Sequence, residues 1–465
     1  MSRIDLLIVG AGPAGMVAAN TVRRFGIDVL VVDEQPAPGG QIWRSVEAVA
    51  ASTRGAILGE AYRAGKAVAD AFRASGARYQ GATQLWQIEP GFRAFVTHDR
   101  KARMIEADSV ILATGAQERP VPFPGWTLPG VLTVGAAQVL LKSAGQIPGK
   151  PVWVAGSGPL PLLYLIQLLR AGGQVAGYLD TTPSGRHWAA LPHLPKALRA
   201  VEDLVRGLGW KATLKRHGVP VVKHVVDVQA NGSQQMQSLR YRTANGQDKT
   251  VPAEILLVHE GVVPSIHATL GLGCAVEWRD DQDCFVPVLD QWGETSRPGI
   301  YVAGDGAGIA GAKAAQLRGA IAALRIAVRL GRVREQTAVE EAKPLRRRLD
   351  RELAMRPFID AMFKPRLQIF APSDDTIVCR CEEVTAREIY AMAQVGRPGP
   401  NQVKAFTRAG MGPCQGRQCG YTVTRILAAA ENRSAAEVGF YRVRPPFKPL
   451  TLRELAALDC QEKAS

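Results

Sequence analysis

An unbroken apolar run at residues 6–9 and another at 29–32 enclose a stretch in which small and apolar residues recur at helical spacing, "GAGPAGMVAANTVRRFG". The pattern predicts a buried parallel strand, a glycine turn, a helix over about 13–25 and a second strand. Small residues (Ala14, Ala18, Ala19) stand where such a helix approaches its sheet. The same strand, turn, helix, strand order returns at 149–180, "GKPVWVAGSGPLPLLYLIQLLRAGGQVAGYLD". Two short apolar strands end in turn signals, "DSVILATGA" and "RPGIYVAGDGAG", and a helix is expected after the second, near 312–330. Toward the carboxyl end, "APSDDTIVCRCEEVTAREIYAMA" reads as an extended segment entering a helix that Thr385, or the acids before it, can cap. "FTRAGMGPCQGRQCGYTVTRILAAA" reads as a Gly-rich loop followed by a helix over 421–430.

The first unit carries the chemistry of a dinucleotide site. Gly10 makes the tight turn, Gly12 lets backbone approach a pyrophosphate, and Gly15 permits close packing of the helix, whose first residues are Pro13 and Ala14. The helix N-terminus then faces negative charge. Asp33 ends the second strand, with Glu34 beside it, where a carboxylate can accept from ribose hydroxyls. In the second unit Gly156 and Gly158 keep their places, but the third glycine is replaced by Pro161. Proline is tolerated in a first helical turn but cannot give the closeness that glycine gives. Asp180 favours an unphosphorylated ribose. NAD(H) binding there is doubtful, and a structural, vestigial role is the preferred reading. His259, ahead of "EGVVPS", reads as a packed strand end rather than a base.

Four of the seven cysteines, Cys379, Cys381, Cys414 and Cys419, stand as CxC and, after a gap of 32 residues, CxxxxC. In extended backbone the thiols of the first pair point the same way. Four thiolates need metal and donors to offset their charge, and Gly410, Gly412, Gly416, Gly420, Arg380 and Arg417 supply candidates. Structural zinc and an iron–sulfur cluster both remain open on spacing, although CxC is poor zinc spacing. Cys274 and Cys284 read as small buried side chains, and Cys460 as no ligand.

With 465 residues, about three domains of roughly 150 residues are expected. A net charge of +15 is densest at 343–366, "KPLRRRLDRELAMRPFIDAMFKPR", where interleaved acids favour a solvated helical linker or a docking face over a nucleic-acid site. An anionic membrane surface is a further reading of that charge. No apolar run is long enough to span a bilayer, and the first strand begins too early for a cleaved leader. The expectation is a cytoplasmic protein, with association at the inner face of the cell membrane through its electron acceptor.

"ATG" at Ala113, Thr114 and Gly115, "GD" at Gly304 and Asp305, and the loop "PGGQIWR" with Gly39, Gly40 and Gln41 resemble the remaining motifs of the flavoproteins built from two dinucleotide domains, the thioredoxin reductase and glutathione reductase group. The resemblance implies FAD in the first site, with Gly40 and Gln41 along the isoalloxazine and Asp305 on the ribityl chain. It departs from the disulfide reductases, because no cysteine precedes Cys274, which excludes a flavin-to-disulfide relay. The cysteine region resembles the bacterioferritin-associated-ferredoxin-like (BFD-like) [2Fe-2S] module, which puts that cluster ahead of zinc.

End to end, including the tail "FYRVRPPFKPLTLRELAAL", the chain resembles the alpha subunit family of opine oxidase, D-hydroxyproline dehydrogenase and hydrogen cyanide synthase. The implied fold is α/β: an FAD domain over 1–118 and 262–335, an NAD(P)-like domain over 119–261, a basic linker over 336–372, a BFD-like [2Fe-2S] domain over 373–440 and a tail over 441–465. The implied partners are a D-amino-acid-oxidase-like FAD beta subunit, which oxidises an amino or imino acid, and a small ferredoxin-like subunit. No catalytic residue is assigned to this chain, which would pass electrons to a respiratory or dye-like acceptor. A self-sufficient NADH:acceptor reductase and a zinc-stapled regulatory scaffold are the alternatives.

Overall fold

In the computed structural model, residues 3–396 and 399–458 are described. Strand β1 (Ile4–Val9) lies parallel to β2 (Val29–Val32) on one side and to β3 (Lys101–Leu112) on the other. These belong to a seven-stranded sheet, which Arg78–Gln80 extends beyond β2, and which an antiparallel meander of 83–89 and 93–98 continues from β3. Leu6, Leu7 and Ile8 are fully buried, as strands covered on both faces require.

Helix α1 (Pro13–Arg23) ends two residues before the expected point. It crosses the sheet closely: a Cβ on Gly15 would come 1.9 Å from the carbonyl oxygen of Gly10. A second sheet of five parallel strands follows, in the order 221–223, β5 (Val175–Asp180), β4 (Val152–Gly156), β6 (Ile255–His259), 131–133. Helix α2 (Val134–Ala144) precedes β4 and α3 (Pro159–Arg170) joins β4 to β5. A long excursion between β5 and the edge strand ends in α4 (Val201–Arg216). The chain then returns: 262–264 pairs antiparallel with 116–118, and β7 (Ile300–Val302) pairs with β3 in the first sheet. Helix α5 (Ala312–Arg329) packs on α1, and a Cβ on Gly319 would meet the Ala14 carbonyl at 2.2 Å.

The basic segment forms α6 (Glu335–Leu353), followed by a short helix, Arg356–Met362. The expectation of a solvated linker holds for much of α6 and fails at its end. Arg366, Ile369 and Phe370 are buried against the second sheet's core, beside Ala155, Leu179 and Val258. The cysteine region is a small helical module with its own core, containing α7 (Ala386–Ala393) and α8 (Gly420–Ala430). Thr385 starts α7 with a reciprocal capping box to Glu388. The residues after it are no loose tail: Tyr441 is buried under the cysteine loop, and Phe447 enters the first sheet's core, its N–H donating to the Trp86 carbonyl at 2.7 Å.

Candidate functional site

The first crevice opens at the carboxyl ends of β1 and β3. Gly10 has φ +105° and lies against the carbonyl of Ala113, so the turn itself demands glycine. Gly12 differs. Its φ of −76° suits any residue, and a Cβ there would meet nothing nearer than the Gly40 Cα at 3.8 Å. The fold therefore does not explain this glycine, whereas a dinucleotide brought onto the turn does. Helix α1 begins with Pro13 and has no side-chain cap and no acid in its first turn, so its leading amides stay available to an anion.

Asp33 is nearby but occupied: the Ala11 N–H donates to its Oδ2 at 2.6 Å and the Gln35 N–H to Oδ1 at 2.7 Å. Burial holds this carboxyl above its ordinary value against the pull of both amides. Glu34 instead points outward and pairs with Lys448 at 2.9 Å. Thr114 and Gly115 are stitched to the returning chain, with the Thr114 hydroxyl donating to the Ser265 carbonyl at 3.0 Å and the Ser265 N–H donating to Gly115 at 2.9 Å. Gly304 approaches Ala14 at the opening of the crevice. Asp305 Oδ1 accepts from the N–H groups of Ala310 and Gly311, at 2.9 and 3.0 Å, and so closes the turn into α5.

Gly40 rests on Gly12, and the carbonyl of Gln41 accepts from Lys142 at 3.0 Å. Lys142, which the sequence pattern alone does not single out, is 4% exposed and also donates to Gln138 at 2.8 Å. Gln138 in turn donates to Gln167, and Gln167 to the Leu58 carbonyl. Burial pulls the Lys142 ammonium down to about 7, with Arg44 adding to the effect. This network ties the second unit to the Gln41 loop. Its signal in the sequence is Gln138 and Lys142 spaced by four on the face of α2 that also carries Leu141.

The second crevice is built differently. Gly156 lies against the His259 carbonyl, and Gly158 has φ +95° with open space around it, so backbone alone accounts for both glycines. Pro161 is buried in the first turn of α3. His259 is buried and donates from Nδ1 to Glu118 Oε1 at 2.7 Å, while Glu118 Oε2 accepts from the Gly135 N–H. Next to it, Glu260 is 2% exposed and pairs with the linker's Arg366 at 2.8 Å. The linker thus reaches the carboxyl ends of β4 and β6, where an open α/β sheet takes its ligand.

The four cysteines come together as two pairs. Cys379 ends the strand Ile377–Cys379, is 1% exposed and lies within hydrogen-bonding reach of the fully buried Cys419. Cys381 is exposed and lies against half-buried Cys414. The strand stops at Cys379, and Cys381 lies in the turn that follows, exposed but still close enough to Cys379 and Cys414 for its thiol to feel both. The Cys419 thiol and the N–H groups of Gly410, Glu382 and Cys381 draw the Cys379 thiol down to about 6. Its partner Cys419 is pushed up, by Cys379 first and burial second. Gly412 has no room for a side chain, since a Cβ would come 2.3 Å from that of Cys381. Among the described residues, no group of three or more His, Cys, Asp or Glu side chains is arranged to hold a single metal ion.

The cysteine loop sits on the first unit. Gln117, two residues after Gly115, donates to the Arg417 carbonyl at 2.9 Å, and His267, two after Ser265, donates to that of Gln415 at 3.1 Å. Arg417 donates to the Phe447 carbonyl at 3.1 Å. Cys274 and Cys284 are free and buried, and burial raises both thiols, Cys284 to about 12. Cys460 lies outside the described residues.

Two dinucleotide-type crevices in series on one returning chain define the class, an oxidoreductase on the flavoprotein pattern. The pyridine nucleotide-disulphide oxidoreductase family model matches residues 4–329, and the sarcosine oxidase A3 domain model matches 374–459. The A subunit of opine oxidase from Agrobacterium tumefaciens (strain Ach5) is 45% identical, over 98% of this chain and 92% of that one. Hydrogen cyanide synthase subunit HcnB of Pseudomonas aeruginosa is 32% identical, over 96% of each chain. Among solved structures, L-proline dehydrogenase from P. horikoshii shares the fold with a TM-score of 0.69 at 20% identity, covering 98% of this chain and 79% of that one. The chain belongs to the pyridine nucleotide-disulphide oxidoreductase family and, within it, to the family of HcnB and the opine oxidase A subunits. Membership implies FAD as the dinucleotide.

Proposed function

We propose that the chain is the electron-transfer subunit of a hetero-oligomeric amino or imino acid dehydrogenase, holding FAD in the first crevice and a [2Fe-2S] cluster on Cys379, Cys381, Cys414 and Cys419. The observation that carries the reading is the seating of the cysteine loop, through Gln117 and His267, on the strand and helix that follow Gly115 and Ser265 at the first crevice. The two-by-two arrangement of thiols suits two metal centres sharing four ligands better than one ion. Thiolate charge there is met by the amide of Gly410, which donates to Cys379 Sγ at 3.5 Å. Bound together, flavin and cluster would supply the change from two-electron to one-electron transfer.

The residues of this chain do the holding. Gly12 and the leading amides of α1 would receive the pyrophosphate, Gly40 and Gln41 would lie along the ring, and Asp305 would hold the ribityl chain. His259 and Glu118, the acid–base pair nearest the second crevice's strand ends, are spent on each other. Substrate oxidation is therefore assigned to a partner, a D-amino-acid-oxidase-like FAD subunit, and a small ferredoxin-like subunit is a further member. The second unit acts as scaffold: the Arg366 and Glu260 pair supports this over NADH reduction.

Co-expression with the partner subunit, followed by dye reduction with opines, D-hydroxyproline and glycine, tests the assignment. Activity with one substrate class, lost when Cys419→Ser removes the iron, is the expected result. Full dye reduction by the partner alone would overturn it.

A further inference from the structure

The excursion between β5 and the strand 221–223 carries an apolar row that nothing among the described residues covers. Helix α4 packs inward through Trp210 and Leu214. Its opposite side repeats Val201, Val205 and Leu208, at spacings of four and three, so these side chains share one face. All three are exposed, Leu208 by 67%; Leu198, in the turn leading into α4, is exposed too, as is Trp188, by 69%, on the helix Arg186–Ala190 earlier in the same excursion. An apolar face turned to water on a helix whose other face is already packed marks a contact surface.

Charge says what kind. Lys196, Arg199, Lys211, Lys215 and Arg216 border the row; all are exposed, and among the described residues none of them forms an ion pair. Only Glu202 and Asp203 offset them between residues 186 and 216. The densest basic segment of the sequence arrives at the same place. Helix α6 touches the turn Leu198–Ala200, and the helix Arg356–Met362 packs along Arg186–Ala190. Exposed Arg347 and Arg348 stand on α6. Two features far apart in sequence, an apolar stripe and a basic run, thus lie on neighbouring elements. A protein partner would have to present a matching acidic rim around an apolar centre, whereas an anionic bilayer offers both at every point. Among the described residues, no helix is long and apolar enough to cross a membrane.

We propose that this face lies on an anionic lipid surface, with Trp188, Val205 and Leu208 at the acyl boundary and the bordering arginines and lysines among the headgroups. The inference does not depend on the cofactor reading. The full chain, purified with whatever cofactors it carries, is sedimented with vesicles of phosphatidylcholine alone and with vesicles in which a third of the lipid is phosphatidylglycerol. Binding is expected only to the second kind. It falls as salt is raised, by about tenfold or more in Val205→Asp/Leu208→Asp, and by a smaller factor in Arg347→Glu/Arg348→Glu. Unchanged visible spectra and melting curves confirm that the surface variants are folded. Equal binding to neutral vesicles, no binding to either kind, or apolar-face variants that bind like the parent would overturn the proposal. So would loss, in those variants, of association with the partner subunit while vesicle binding is absent from the parent.

Discussion

The two crevices repeat one local plan and differ in what their glycines are for. In the second, φ at Gly158 and the closeness of the His259 carbonyl to Gly156 account for both glycines without any ligand. In the first, Gly12 has an ordinary backbone and open space, so its missing side chain serves something outside the chain. The ends differ in the same sense. Both helices begin without a side-chain cap, but the second crevice receives Arg366 from the linker. The residue-by-residue reason for each glycine thus tells the two crevices apart where the repeated fingerprint does not.

The sharpest way to break this comparison is Gly12→Val. Flavin content should fall to near zero, read from the visible spectrum. The apo proteins should unfold within about 1 kcal/mol of each other, because the fold leaves that position free. Next comes Phe370→Ala, which empties a buried place where the linker meets the second unit. It should cost about 3–5 kcal/mol in denaturant unfolding, with flavin content unchanged. NADH should fail to bleach the flavin in parent and variant alike; rapid bleaching would return the second crevice to service.

Lys142 gives a pH signature of the joint between the units. Its folded value of about 7 lies below the ordinary lysine value of about 10.4, so between the two the unfolded chain binds a proton that the folded chain lacks. Stability should therefore rise with pH across that window and stay flat, as far as this group is concerned, below it. Relative to Lys142→Met, the parent should gain up to about 3 kcal/mol between about pH 7.5 and 9.5. Equal pH slopes would mean that the amine is solvated. The smallest effect belongs to Gly158→Ala, about 1–2 kcal/mol from the left-handed backbone alone, with no change in either cofactor.

Strands and helices of both units are legible in the sequence because their apolar periods are strong, and β2 falls on the four residues expected. The cysteine module is legible from spacing and glycine content. What escapes comes from long-range packing that no local period encodes. The linker's end reads as basic and solvated, yet Arg366 finds a buried carboxylate 106 residues away. Asp33 reads as a ribose ligand, but in this fold its carboxylate also closes the glycine turn through Ala11. Cys379 is buried and Cys381 exposed, a difference that the CxC spacing does not reveal.

Iron, zinc and flavin measured together on the anaerobically purified chain, with a low-temperature paramagnetic spectrum after reduction, test the central claim most directly. One flavin and about two irons per chain, with a signal that Cys379→Ser abolishes while flavin stays, is the predicted result. Zinc in place of iron, or a reduced protein that remains silent after reconstitution, would contradict it.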